Sequence, residues 1–465
     1  VGILELGVSR LPLRRLGGDQ KYDVVVCGGG PSGCAAALAA ARSGLRCLVV
    51  ECMGQLGGMG TSGLVSHWLG GRSEDCSKWV VGGVFKELSQ EAAAAGFALI
   101  PTRIPGEKYQ PHGWFLGLQH GIPFDPDQMA AFLDRKLRMA GVETLFMSRV
   151  VGVERECSRL KGVVVASKEG LSLVEAAFFV DASGDADLAH FADCETVKGR
   201  EEDSLMTPAT LMMHVDNVDQ DTLAKYIGDN DTPRFRKEIE ALRAAGEWDF
   251  PYDIFISVQL AEKGVMMINT SRLCGVDGCD TRSVTEGLTR GRAESLKLLE
   301  LMRRRFPGFA NARLKALAPL LGVRETRRIK AITTLTVEEL AGGGNCASAI
   351  GFSSYGWDLP DPKRPSHQPL TDKGQPKSSF TPIPYGIMAP RGVDNLLCPG
   401  RAVGVERDVL GPLRVMAPCM AMGEAAGVAA SLASRGDGSF VSVDIEALRL
   451  ELRRRGAIVD EEALA

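Results

Sequence analysis

The sequence has no surplus of positive charge: 54 Lys and Arg stand against 58 Asp and Glu, a formal net charge of -4. Without a basic excess there is no broad electrostatic hold on a phosphate backbone or an anionic lipid surface, so neither a nucleic-acid nor a membrane partner is expected. Long apolar runs are missing too. Residues 34–41 and 423–432 come closest, but the first is short and the second carries Glu424. A spanning helix needs about 18 or more apolar residues in succession, so a soluble protein is expected. The stretch with Arg10, Arg14 and Arg15 lacks the apolar centre and small-residue cleavage site of a secretory leader. Cysteine occurs twelve times, never as C-x-x-C and never at zinc-ligand spacing. That pattern suits thiols kept reduced, so the expectation is a cytoplasmic protein with no metal centre. Cys47 and Cys52 have a dithiol-like spacing, but the residues between them read as a strand.

What is present is the material of a large folded enzyme. The 465 residues are about three times the ~150-residue domain prior, and 45% hydrophobic with 24% charged residues is ordinary for a folded chain with a sizeable core. Glycine is in excess, at 54 residues, without a collagen period. Excess glycine of this kind marks tight turns and close backbone approaches to a ligand.

The strongest local signal lies near the start. Residues 22–27 (YDVVVC) form a short apolar run of the buried parallel-strand type and lead directly into Gly28, Gly29, Gly30, Pro31, Ser32 and Gly33. An Ala-rich helix follows and Gly44 ends it. A second strand, residues 46–51, finishes in Glu51, eighteen residues after Gly33. This is G-x-G-x-x-G in a complete strand–helix–strand setting, the dinucleotide fingerprint. Gly28 makes the turn, Gly30 admits the pyrophosphate, Gly33 lets helix and strand touch, the helix N-terminus supplies N–H donors, and Glu51 suits the ribose hydroxyls. A second glycine-rich stretch follows Cys52, with Gly57, Gly58, Met59, Gly60 and Thr61 placed to run beside a long, extended cofactor.

Further along, a strand at 177–181 enters Ala182, Ser183, Gly184 and Asp185, and residues 395–398 enter Gly400 and Arg401. Arg414, Val415 and Met416 then precede a helix of small residues. Together these resemble the FAD-binding elements of glutathione-reductase-type flavoproteins, in the branch of FAD-dependent oxidoreductases without a second nicotinamide domain. Residues 264–272 (GVMMINTSR), 307–309, 321–329 (LGVRETRRI), 335–340, 383–385 and 394–430 carry the resemblance across nearly the whole chain. It implies FAD as cofactor, with the backbone at Val150 and Val151 bordering the adenine. It also implies an α/β fold: a discontinuous Rossmann-type FAD-binding domain with a β-meander, and a second α+β domain on the substrate side. One departure stands out: the family often has a Tyr, an Asp and then a His after the LGVRETRRI segment, and in 354–360 (SYGWDLP) Pro360 occupies the place of that His. His367 is the substitute the sequence offers.

The expected organisation is an FAD-binding domain at 21–205 and 381–435, a substrate-side domain at 206–380, and a C-terminal helical extension at 436–465. Sequence before Lys21 reads as an edge strand or arm, and 150–166 as a hairpin continuing into a strand near 171–174. Strands are expected at 210–215 and 265–270, helices at 284–305 and around 310–320, and a long loop at 359–379. Glu286, Arg290 and Arg292 read as a solvated helix face.

A flavin enzyme that moves a hydride needs a group for the accompanying proton, a positive element for the anionic edge of the reduced flavin, and groups that orient substrate. His67 and Tyr355 are the acid/base candidates. Arg324 and Arg328, four residues apart, could clamp one anionic group if their segment is helical; Arg401 follows a glycine at a sheet edge. The alternative for each arginine is structural pairing with Glu325, Glu338 or Glu406. Asp185 suits the ribityl or pyrophosphate region, or else caps the next helix. The resulting expectation is two-electron oxidation or reduction of a polar, carboxylated or hydroxylated small molecule. A monooxygenase of the aromatic hydroxylase type ranks lower, because residues 181–189 (DASGDADLA) lack the Ser and Arg of D-G-x-x-S-x-x-R. A flavin-binding tRNA-modification or sensor protein ranks lower because of the acidic balance.

Overall fold

The computed structural model describes residues 14–15, 21–341, 347–367 and 380–464. Its principal sheet is built on buried Val-rich strands. Tyr22–Cys27 lies at the centre, parallel to Cys47–Val50 on one side and to the end of Gly170–Asp181 on the other. Glu143–Leu145 extends the sheet beyond Cys47–Val50, and Leu396–Leu397 adds a parallel edge beside Phe179 and Val180. The strand Gly170–Asp181 plays two parts. Its first half pairs antiparallel with Arg159–Ser167, which pairs with Arg149–Glu156 to complete a meander, while its second half joins the parallel sheet. The mixed α/β architecture with a parallel, Rossmann-like core therefore follows from one long strand shared by two layers. Arg14–Arg15 pairs in parallel with Ser172 and Leu173.

Two helices cover one face of the parallel sheet. Pro31–Arg42 is Ala-rich and Met416–Ala433 is almost wholly buried. Their small residues have a packing cause. A Cβ added at Gly423 would overlap the Ser32 carbonyl, and one at Gly427 would overlap that of Ala36. The two backbones touch, which larger side chains would prevent. Met416–Ala433 is apolar and long enough to cross a membrane by composition, but 94% of it is buried inside the fold.

The same helix buries Glu424, whose Oε2 accepts a hydrogen bond of 2.9 Å from the Val84 N–H at the start of helix Gly83–Ala94. Burial raises this carboxyl to about 7, against the opposing pull of that N–H and of Arg455 and Arg42. The unfolded side chain titrates near 4.5, so the folded state retains a proton through the interval from 4.5 to about 7. The associated stability is present below that interval and lost as pH climbs through it, on the order of 3 kcal/mol in all. Glu424→Gln is expected to flatten the fall in melting temperature between about pH 5 and pH 8. An unchanged slope would assign the pH dependence to another group.

A second, antiparallel sheet runs in the order Ser257–Gln259, Met266–Ile268, Met213–Asp216, Arg313–Leu317. The helix Thr281–Arg305 packs Leu298, Leu301 and Met302 into the core beneath it, alongside Phe235, Phe255, Phe306 and Phe309. On its outer side Glu286 and Arg292 are exposed, while Arg290 donates to the Cys274 carbonyl. The helix expected around 310–320 is instead the strand Arg313–Leu317. Pro307 and Gly308 before it and Pro319 after it leave too few residues for a stable helix, and the free edge of Met213–Asp216 takes them up. The segment 321–329, which the Arg324 and Arg328 clamp required to be helical, is also extended. Thr210 and Gly322 exchange backbone bonds of 3.0 and 2.8 Å, and Arg327–Ile329 pairs with Thr196–Lys198. Gly322 and the β-branched Val323 and Thr326 favour this outcome. The second part of the expected 359–379 loop, residues 368–379, lies outside the described residues.

Candidate functional site

At the carboxyl end of the central strand the chain turns at Gly28, with φ +108°. A Cβ at Gly28 would overlap the Ala182 carbonyl, and one at Gly33 would overlap that of Gly28. Neighbouring protein therefore demands both glycines. Gly30 is different: a Cβ there would meet nothing nearer than the Gly58 Cα, at 4.0 Å. Its missing side chain leaves room for something that is not protein. This space faces the first turn of Pro31–Arg42, which has no side-chain cap, and an uncapped helix start offers N–H groups to an anion. Ser32 lies close to the backbone at Gly400 (φ +103°), where an added Cβ would come within 3.3 Å of Ser32 Oγ.

Glu51 is buried at the end of the second strand. Its carboxylate accepts from the Gly29 N–H at 2.6 Å and the Met53 N–H at 2.7 Å, fastening the glycine turn to the acidic strand. Cys52 beside it is exposed. The chain after Glu143–Leu145 runs along this end, with the Ser148 N–H donating to the Glu51 carbonyl. Val150 and Val151 follow on the meander, half-buried and exposed respectively. The second glycine stretch abuts the first, since the Gly57 N–H donates to the Gly29 carbonyl at 2.8 Å. Gly58–Gly60 then makes a 3-10 turn that brings Gly60 against Met416, and Thr61 Oγ1 donates to the Leu56 carbonyl at 2.5 Å.

Asp181 builds the third turn. Its buried carboxyl, raised to about 6 by burial, accepts from the Ser183 hydroxyl at 2.5 Å and from the Ser183 and Ala189 N–H groups at 3.2 and 3.0 Å. Ala182 to Gly184 are thereby drawn over the helix Asp187–Phe191, and Ser183 Oγ accepts from the Asp187 N–H at 3.2 Å. Asp185 does not cap this helix. Its Oδ1 accepts from Arg401 Nη2 and Thr326 Oγ1, both at 2.8 Å, while Arg401 Nη1 donates to the Val323 carbonyl at 2.9 Å. Arg401 thus ties the cofactor-side turn to the segment carrying Arg324.

A cluster of charged and polar side chains borders that segment. Arg414, immediately before the uncapped start of Met416–Ala433 at Val415, pairs with Asp358 at 3.0 Å. Asp358 also accepts from the Tyr355 hydroxyl at 2.9 Å. Its side chain is 37% exposed. The burial of this recess favours a protonated Asp358, but Arg414, Arg324 and Arg272 outweigh it and hold the carboxyl at about 2. Burial and the negative charge of Asp358 push the Tyr355 hydroxyl well above its usual range, so it stays protonated. Burial, with Arg272 and Arg414 close by, lowers Arg324 to about 9, so it remains a cation at neutral pH. Gly322, two residues before Arg324, faces the Met59 side chain, and Ser354 donates its N–H to the Gly70 carbonyl. The cluster therefore borders both the second glycine turn and the start of the C-terminal helix.

Three expected site residues stand elsewhere. Arg328 is buried, and Glu325, between it and Arg407, anchors a structural network that also takes the Thr207 N–H at 2.5 Å. The shared clamp of Arg324 and Arg328 is therefore corrected, because the segment is extended and the two side chains go to different partners. Arg324 donates to the Pro208 carbonyl and Arg328 to that of Gly199. His67 is sealed beside Gly121, and burial together with His120 lowers it to about 3, so it is neutral. His367 lies in a turn with Asp361, whose N–H it accepts through its carbonyl. Sequence reasoning did not single out Arg272, Asn269 or Asp358, although the GVMMINTSR stretch and the Tyr355-x-x-Asp358 spacing contained them.

A parallel sheet whose strand ends converge on glycine turns, an uncapped helix start and a buried acidic residue defines a dinucleotide-binding enzyme of Rossmann type. The chain belongs to the FAD dependent oxidoreductase family, matched over residues 23–452. It is an FAD-dependent oxidoreductase, and FAD is its cofactor. No curated protein sequence matches it. Among solved structures it is similar to a geranylgeranyl bacteriochlorophyll reductase-like protein from Thermoplasma acidophilum, at 15% identity over 94% of this chain and 84% of that one, with TM-score 0.48. It is also similar to a myxobacterial chondrochloren halogenase, at 14% identity over 94% and 79%, TM-score 0.46. A third is p-nitrophenol 4-monooxygenase from Pseudomonas putida, at 12% identity over 96% and 82%, TM-score 0.40. No activity is carried over from these three.

Proposed function

We propose that this enzyme performs a two-electron oxidation or reduction of a polar, carboxylated or hydroxylated small molecule held at the cluster of Arg324, Tyr355, Asp358 and Arg414. The observation that carries the reading is that this cationic cluster adjoins the uncapped start of the C-terminal helix and the second glycine turn. FAD would lie along the glycine turns, with its pyrophosphate at Gly30, Ser32 and Gly400, its ribose near Glu51 and its ribityl chain near Asp185. When bound, it accepts or supplies the electron pair. Arg324 and Arg414 orient the substrate and stabilise negative charge growing on its oxygens. Tyr355, kept protonated by burial and by the charge of Asp358, donates a hydrogen bond and does not serve as a base. Residues 206–380 form the substrate side of this arrangement, and membership of the glutathione-reductase-type branch is part of the same reading. Free thiols at the described cysteines support a reducing, cytoplasmic setting, and action on a small molecule without nucleic acid or membrane is part of the same reading.

Anaerobic titration of the holoprotein tests this. Polar organic acids are expected to bleach the flavin directly, or to reoxidise the reduced form, without NADH or NADPH. Arg324→Met should keep its flavin and lose about a hundredfold in that rate, the worth of one or two charge-assisted hydrogen bonds. Bleaching by pyridine nucleotide alone would instead support an oxygen-activating enzyme.

A further inference from the structure

We propose that Arg272 and Arg324 form a two-arginine clamp for one carboxylate of the substrate, with Arg272 the specificity-determining partner. The proposal rests on the substrate site proposed above and names the chemical class that the site takes.

Arg272 follows the short strand Met266–Ile268 of the second sheet, whereas Arg324 lies on the extended segment that bridges to the cofactor turn. The two meet at a neutral group. Arg272 Nη1 donates to Asn269 Oδ1 at 3.1 Å, and Arg324 Nη2 donates to the same oxygen at 3.5 Å. Among the described residues neither guanidinium has a carboxylate within ion-pair distance, whereas Arg414, beside them, has Asp358. Asp358 lies close enough to all three guanidiniums, Arg414, Arg324 and Arg272, for each to lower its carboxyl, so one negative charge is shared among three positive ones and the group keeps a positive excess.

Those charges are not free to swing into water. Arg272 is 4% exposed, its guanidinium lies 4.0 Å from the centre of the Tyr252 ring, and Nη1 also donates to Thr210 Oγ1 at 3.0 Å. Its Nε is buried and has no partner. Arg324 is held by the Pro208 carbonyl at 2.6 Å. Two fixed, desolvated cations side by side repel each other, and burial adds to that cost unless an anion completes the group. Guanidinium forks match a planar two-oxygen anion, so a carboxylate satisfies both charge and shape. Asn269 supplies a neutral shared acceptor that holds the forks together until the carboxylate arrives.

The test uses holoprotein with sodium acetate and sodium succinate as probes, against sodium chloride and sodium phosphate at matched ionic strength. Flavin difference spectra and melting temperature are recorded together. Acetate and succinate are expected to give saturable changes in both, and chloride to give none. Arg272→Met and Arg324→Met should each weaken the carboxylate response tenfold or more at an unchanged flavin-to-protein ratio, with Arg272→Lys intermediate. Superimposable carboxylate and chloride curves in the wild-type protein overturn the clamp even where a variant fails to fold, as does a preference for phosphate. Loss of flavin from Arg272→Met, with the carboxylate response intact, would assign the pair to the cofactor and overturn it as well. Absence of any carboxylate effect in a protein whose flavin organic acids still bleach removes the clamp alone. An Arg272-dependent rise in melting temperature with a silent flavin spectrum supports the clamp and instead removes the flavin-adjacent substrate site.

Discussion

Gly30→Val protein is expected to purify folded and colourless. The backbone at Gly30 has φ -72° and ψ -172°, extended values open to any residue, so valine brings no backbone strain. Nor does its Cβ clash with a distant part of the protein, the nearest such atom being the Gly58 Cα at 4.0 Å. The valine methyls would instead occupy the space before the uncapped helix start, where the FAD pyrophosphate is expected. Flavin affinity should fall at least about a hundredfold, or roughly 2.7 kcal/mol, while the melting temperature of the apoprotein stays close to that of wild-type apoprotein. Gly33→Val makes the contrast, because its Cβ would overlap the Gly28 carbonyl and disturb the fold itself. The ratio of visible to ultraviolet absorbance, read with melting curves, separates the two. A yellow Gly30→Val protein with full flavin content would show that the phosphates lie elsewhere.

Glu325→Gln should destabilise the protein by about 3–5 kcal/mol, because it leaves buried cations without their counter-charge. Glu325 is fully buried, Arg407 reaches both of its carboxylate oxygens, and Arg328 lies 3.5 Å from Oε2. A large fall in melting temperature is the expected reading. Replacing Glu325, Arg328 and Arg407 together by Leu, Met and Met should recover part of the loss, since a well-packed apolar group escapes the desolvation cost of a buried ion network. A single Glu325→Gln variant as stable as wild type would show that the network is idle. The consequence reaches the site, because the same segment carries Arg324 into the cluster and Thr326 onto Asp185.

The glycine turns and the acidic strand end were legible because their parts are local. Gly28, Gly30, Gly33 and Glu51 act within one strand–helix–strand unit, where spacing alone places them on a shared turn. The meander was legible in the same way from the alternation around residues 150–166. The clamp was not. Arg324 and Arg328 have helical spacing on paper, but Gly322 trades backbone bonds with Thr210 and the segment is drawn out straight. His67 was chosen for residue type and position after a glycine turn, and neither could reveal that Gly121 would seal its ring.

By itself the sequence determined the parallel core, the glycine turns and the acidic strand end, because hydrophobic period and conformational tolerance act over a few neighbouring residues. Only the tertiary structure decided which cations share the cluster. Arg272 follows a strand of the second sheet, Arg324 lies on an extended segment before Arg327–Ile329, and Arg414 precedes a helix start. Their meeting depends on pairings between distant segments, on strand register, and on Glu325 claiming Arg328 and Arg407 for the core, so that Arg324 and Arg272 are left facing an oxygen that carries no charge.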